Sequence, residues 1–106
     1  MPALPQSPQQ ATAVAGAAKL NCDSGVVTSE ALATAAGASY TLTLACNEVT
    51  SKSLVMASLQ NGSNSGGDPS LSRIVPADGG KVTFTVVNRG ASAFNGTLKI
   101  GFVVFN

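Results

Sequence analysis

From Lys19 onward, apolar and polar residues alternate in short runs separated by turn-forming residues. Period-two alternation leaves one face of an extended strand apolar, and the runs that show it are 40–46, 53–60, 82–86 and 98–104. Weaker runs follow the same rule at 25–28 and 71–75, and Gly, Asn, Asp and Pro cluster between the runs. The pattern predicts an all-β fold, an antiparallel β-sandwich of jelly-roll or immunoglobulin-like type with about 6–8 strands.

The alanine-rich segment 30–36 is the one place where a helix competes with this pattern. A helix of that length is marginal in water unless tertiary contacts support it. The sequence therefore favours strands and loops throughout residues 19–106, which we take as the β-sandwich domain.

Residues 1–18 lack strand alternation and contain Pro2, Pro5 and Pro8. Proline fixes φ and biases the preceding residue toward extended conformations, so this segment is predicted to be an extended N-terminal arm. Leu4 and Val14 give the arm apolar anchors, whereas a purely solvating tail normally carries charge. The arm residues are therefore candidate interface residues, and a disordered tail is the alternative.

The last predicted strand carries information on both of its faces. Its inward series is Leu98, Ile100, Phe102 and Val104. Its second face starts polar and ends apolar, in the order Thr97, Lys99, Gly101, Val103 and Phe105. We interpret Val103 and Phe105 as contact residues, together with Phe94 in the preceding loop. The alternative is that Val103 and Phe105 close the open end of the sandwich.

The charge content is low, because Lys, Arg, Asp and Glu make up 10% of the 106 residues and the net charge is +1. An ordinary soluble domain has about 25% charged residues. Near-neutrality argues against binding to nucleic acid or an anionic membrane surface. A surface with so few charges resists association weakly, so we expect a protein that packs against other proteins. A neutral domain coated with Ser and Thr is the alternative.

Candidate chemistry is sparse. Histidine is absent, the carboxylates are scattered, and no nucleophile elbow or phosphate-binding loop occurs. The loop 61–70 offers oxygen atoms for a loose Ca²⁺ site, but Asp68 is its only charged residue, so we expect a flexible exposed tip instead. We predict no enzymatic activity, no catalytic residue, no metal site and no cofactor.

No stretch of about 18 apolar residues occurs, and the first residues lack the basic and apolar regions of a secretion signal. We therefore expect synthesis in a reducing cytoplasm. In that compartment Cys22 and Cys46 are expected to be separate buried thiols and not a disulfide.

Three segments carry a resemblance to a known class: 25–32 (GVVTSEAL), 35–44 (AAGASYTLTL) and 88–104 (NRGASAFNGTLKIGFVV). The succession of strand-forming and turn-forming residues in these segments resembles that of small structural proteins of tailed bacteriophages. The resemblance covers residues 20–106 and implies a capsid decoration (cement) protein, a homotrimer on the outer face of the major capsid protein lattice. It also implies that the arm clasps neighbouring subunits and that the protein resides on the virion exterior.

Two other classes are carried as alternatives. One is a receptor-recognition module of a tail or head fibre, in which the loops 61–70 and 88–95 would contact the host. The other is a bacterial surface or pilus subunit, which would require an export signal outside this sequence and a Cys22–Cys46 bridge.

Overall fold

The computed structural model describes residues 9–21 and 23–106. It forms eight strands in two packed four-stranded sheets. The strands are β1 (Gln10–Thr12), β2 (Ala17–Lys19), β3 (Ser24–Thr28), β4 (Ser39–Ala45), β5 (Leu54–Asn61), β6 (Pro69–Ala77), β7 (Lys81–Asn88) and β8 (Leu98–Phe105). The order is β1-β3-β8-β5 in sheet I and β2-β4-β7-β6 in sheet II. The predicted β-sandwich is confirmed.

The core lies between the sheets and is built by the period-two runs found in the sequence. On β7 and β8 every second side chain is buried, and on β4 Leu42 and Leu44 are buried in the same alternation, which places one apolar face of each strand inside. The largest fully buried apolar side chains are Phe84, Leu42, Leu44, Leu98, Ile100, Val27, Val49, Val82 and Val86. Burial of these side chains is the main force that holds the two sheets together.

The chain changes sheet at almost every connection, and the exception is the β6–β7 hairpin in sheet II. Its turn contains Gly79 and Gly80 with φ of 89° and 75°, values that side chains with a Cβ rarely adopt. No helix occurs among the residues that the structure describes. The segment 30–36 instead runs beside the loop before β8, where the Leu32 N–H donates to the Gly96 carbonyl.

The N-terminal strands depart from the predicted antiparallel pattern, because β1 pairs with β3 and β2 pairs with β4 in parallel. Between them the chain crosses from sheet I to sheet II through a tight turn at Ala15 and Gly16, where φ is 52° and 80°. Ala13, just before this turn, is 2% exposed and belongs to the core. The described part of the predicted arm, residues 9–18, therefore lies against its own domain.

Candidate interaction surface

Four large apolar side chains lie exposed at one end of the outer face of sheet I. Leu54, Met56, Val103 and Phe105 are 62%, 58%, 41% and 49% exposed. Leu54 lies opposite Phe105 and Met56 lies opposite Val103 in the β5–β8 register. Side chains directly opposite each other on neighbouring strands are in contact range. The four residues thus form one continuous surface, which we call the apolar patch.

The apolar patch faces outward because of the alternation along its two strands. Odd-numbered residues of β8 and even-numbered residues of β5 have side chains that point away from the core. Phe102 and Val104, their neighbours on β8, are 3% and 6% exposed and point into the core. Val103 and Phe105 therefore do not close the open end of the sandwich, which was the alternative prediction. Their exposure on a flat sheet face agrees with a role in contact, and the contact itself stays a prediction.

The outer face of sheet I becomes polar away from the apolar patch. Gly101 follows Val103 along the face, opposite Ser58 on β5, and the next pair is Lys99 with Gln60. Because Gly101 has no side chain, a depression of about 450 Å³ that is open to solvent lies beside the patch, next to Ser24. An apolar area with a polar border is the usual composition of a protein interface.

The outer face of sheet II has a different coat. Its β4–β7 rows pair Thr41 with Thr85 and Thr43 with Thr83. Three of the chain's six cationic residues also lie on this side, in register with outward-facing residues of the neighbouring strands: Lys19, Arg73 and Lys81. Val75 is its one exposed large hydrophobic residue among the residues described, at 41%. The two outer faces of the sandwich are therefore chemically distinct.

The structure separates the other predicted contact residues. Val14 is 75% exposed at the turn between β1 and β2, on the opposite edge of sheet I from β5. Phe94 is 2% exposed and packs in the core, so its side chain is not available to a partner. The predicted arm residues Pro2, Leu4, Pro5 and Pro8 lie outside the described residues, as does Cys22. Leu54 and Met56 belong to the surface although they were not singled out, and the period-two run 53–60 carried that signal.

The loop 61–70 is held in place by side-chain amides. Asn64 is 4% exposed, and its Nδ2 donates to Asn61 Oδ1 and to the Gly66 carbonyl, each at 2.9 Å. Its Oδ1 accepts from the Asn95 N–H at 2.8 Å, and Asn95 Oδ1 accepts from the Ser65 N–H at 2.7 Å. These hydrogen bonds bind the loop to the segment before β8. Five of its ten residues are exposed, as expected of a tip, and its flexibility stays a prediction.

A second amide, Asn88 at the end of β7, is fully buried. Its Oδ1 accepts from the Asp68 and Gly90 N–H groups at 3.1 and 3.0 Å, and its Nδ2 donates to the Thr34 and Ser92 carbonyls at 3.1 and 2.8 Å. All four hydrogen-bonding positions of the amide are used. Asn88 thereby joins three loops at this end of the sandwich.

The ionisable groups with a shifted pKa, Tyr40 and Asp78, are not members of the apolar patch. Burial, together with a 2.7 Å hydrogen bond to Glu30 Oε1, raises the pKa of the Tyr40 hydroxyl above its usual value. The Ser51 N–H, 2.9 Å from Asp78 Oδ1, lowers the pKa of that carboxyl. Cys46 is buried. Within residues 9–21 and 23–106, no three or more Cys, Asp and Glu side chains are grouped so that they could hold a metal ion.

Comparisons with protein-family models, with curated proteins and with solved structures found no match. Among the described residues, no helix has the length and apolar character needed to cross a membrane.

Proposed function

We propose that this protein is a non-enzymatic structural component of a tailed-phage virion. In this proposal it binds the outer surface of the major capsid protein shell as a decoration protein and reinforces contacts between capsid proteins. The apolar patch is the observation that carries the proposal, since it is an apolar area on a rigid sheet that another protein surface could cover.

Burial of the apolar patch would supply affinity. Removing apolar surface from water contributes roughly 25 cal/mol per Å², less the cost of association. A patch of four side chains gives a modest gain per copy. Repeated copies on a shell, or several copies joined in one oligomer, would raise the overall strength through avidity.

Further support comes from the low charge content and from the resemblance of residues 20–106 to small phage structural proteins. Under this proposal the protein is made in the host cytoplasm and resides on the virion exterior. A clasping role for the part of the arm before β1 belongs to the same proposal. The homotrimer that the resemblance implies competes with a two-fold pairing of two copies, and the oligomeric state decides between them.

Co-sedimentation with capsids tests the proposal. The capsids are assembled from the major capsid protein encoded in the same genome and lack this protein. Val103 and Val75 form a matched pair, because both are exposed to 41% on the outer faces of opposite sheets. We expect Val103→Ser to weaken binding about fivefold, since burial of part of a valine side chain is worth about 1 kcal/mol.

Val75→Ser is the control and is expected to leave capsid binding unchanged. Equal effects of the two substitutions would contradict docking through sheet I. Absence of binding by the unmodified chain, with intact folding, would contradict the proposal as a whole.

A further inference from the structure

Within residues 9–21 and 23–106 the sandwich has four edge strands, and three of them carry features that oppose pairing with another chain. β1 and β2 are only three residues long. β6 has nine residues, but it contains Pro69, Pro76 and Arg73 and has a register shift between Leu71 and Arg73. Short length, proline, charge and bulges are the devices that protect sheet edges from association.

β5 lacks all of these features. It has eight residues, LVMASLQN, with no charge, no proline and no register shift against β8. Among the described residues it pairs only with β8, so its second side carries open backbone groups. Such an edge is a template for another strand.

The register identifies which backbone groups are open. The Gly62 N–H donates to the Thr97 carbonyl at 2.8 Å, which continues the β5–β8 ladder by one residue pair. Hydrogen-bonded positions alternate in an antiparallel pair, so the even residues of β5 bond to β8. The N–H and C=O groups of Val55, Ala57, Leu59 and Asn61 therefore point toward the free edge.

We propose that β5 pairs antiparallel with β5 of a second copy of this chain. A two-fold axis at Ser58 would pair Val55 with Asn61 of the second copy and Ala57 with Leu59 of the second copy. This register uses all four open positions on each strand and makes sheet I continuous through both molecules.

The chemistry of β5 favours its own copy as the partner. In a two-fold pairing, β5 lies beside a strand of identical sequence. Any charged residue on β5 would therefore lie near the same charge on the second copy. β5 is uncharged, and the preceding cation, Lys52, lies outside the strand. Ala57 and Leu59 are only half-buried at the edge of the core, and a neighbouring strand would cover them.

This pairing does not depend on the proposed function. It uses the edge of sheet I, whereas the apolar patch lies on the face, so the patch stays open to a capsid surface. Failure to bind capsids would leave the pairing unaffected. Absence of the pairing would leave the apolar patch of each copy able to bind, and would remove only the gain in strength from joining two copies.

Amide hydrogen exchange and sedimentation velocity of the full chain across about a hundredfold range of concentration test the pairing. We expect a dimer at high concentration, with protection of the Ala57 and Leu59 amides rising as it forms. The Met56 and Ser58 amides already bond to β8 and should change little. A monomer at all concentrations, a trimer, or a dimer without this protection would overturn the proposal.

Charge substitution at the two-fold axis provides a second test. Ser58→Lys and Ser58→Glu should each weaken self-association about fivefold, because like charges then lie opposite each other. An equimolar mixture should form the mixed dimer at least as tightly as the unmodified chain. Thr41→Lys, on the outer face of sheet II, is the control and should not change association. Failure of the mixture to recover would contradict the pairing.

Discussion

The two sheets share one core but present opposite outer faces. Sheet II is coated with threonines and carries Lys19, Arg73 and Lys81, whereas one end of sheet I exposes the apolar patch. Threonine suits an exposed strand position, because its branched side chain fits the pleated sheet and its hydroxyl is hydrated. The outer face of sheet II therefore has the composition of a solvent-exposed surface, whereas the apolar patch on sheet I does not.

The difference between the faces also shows that the few charged residues are not spread evenly over the surface. A uniform shortage of charge would leave both faces equally prone to association. Instead, half of the cationic residues lie on the outer side of sheet II, while the strands β5 and β8 of sheet I contribute Lys99 alone. The exposed apolar residues thus concentrate at one end of the outer face of sheet I, beside the uncharged β5 edge.

The two faces exist only while the sandwich is folded. Asn88→Ala is the substitution that we expect to destabilise the folded sandwich most. The substitution leaves the Asp68 and Gly90 N–H groups and the Thr34 and Ser92 carbonyls without this buried partner. We expect the free energy of unfolding to fall by about 3 kcal/mol, because several buried polar groups lose hydrogen bonds together. Urea unfolding measures this change.

Asn47→Ala is the control for that measurement. Asn47 is exposed in the turn after β4, so the free energy of unfolding should change by less than about 0.5 kcal/mol. Similar effects of the two substitutions would show that the buried amide does not hold the loops together.

A variant that gives sheet I the coat of sheet II makes the comparison sharper. In L54T/M56T/V103T/F105T the apolar patch becomes a threonine surface. We expect the strands to form, since threonine favours them, and capsid binding to weaken at least about a hundredfold as four apolar contacts are lost. Circular dichroism and urea unfolding check the fold, and co-sedimentation checks the binding. Full capsid binding by this folded variant would show that the apolar patch is not the capsid-binding surface.

The sequence predicted the strands that build both faces, because each shows alternation over several residues. It also predicted that the outward series of β8 turns apolar at Val103 and Phe105, which the structure confirms. The choice between an open contact surface and a closed end needed the packing of both sheets. That choice depends on which element lies beyond the strand, and a single sequence does not contain this information.

The errors lie where no periodicity exists. Phe94 is buried from a loop, so no alternation could reveal its direction. Asn64 and Asn88 belong to the Gly- and Asn-rich segments between the runs, and nothing in the sequence distinguishes them from ordinary turn residues. Tertiary contacts bury them with their hydrogen bonds satisfied. β1 and β2 are too short to show a period, and they are strands because the neighbouring sheet edges accept their backbone groups.

The smallest expected effect concerns Gly101, which marks the border between the polar and apolar halves of sheet I. A Cβ placed there would meet only Ser58 Oγ, at 3.6 Å, which is ordinary contact. Gly101→Ala should therefore raise the free energy of unfolding by about 0.5 kcal/mol, because alanine loses less conformational freedom on folding.

Gly90→Ala provides the contrast, because its Cβ would lie 2.7 Å from the Asp68 nitrogen and should destabilise the fold. Urea unfolding compares the two variants, and a destabilised Gly101→Ala would contradict the open space at that position. If Gly101→Ala is more stable but binds capsids more weakly, the depression beside the apolar patch belongs to the docking surface. If binding is unchanged, the border of that surface lies at Met56 and Val103.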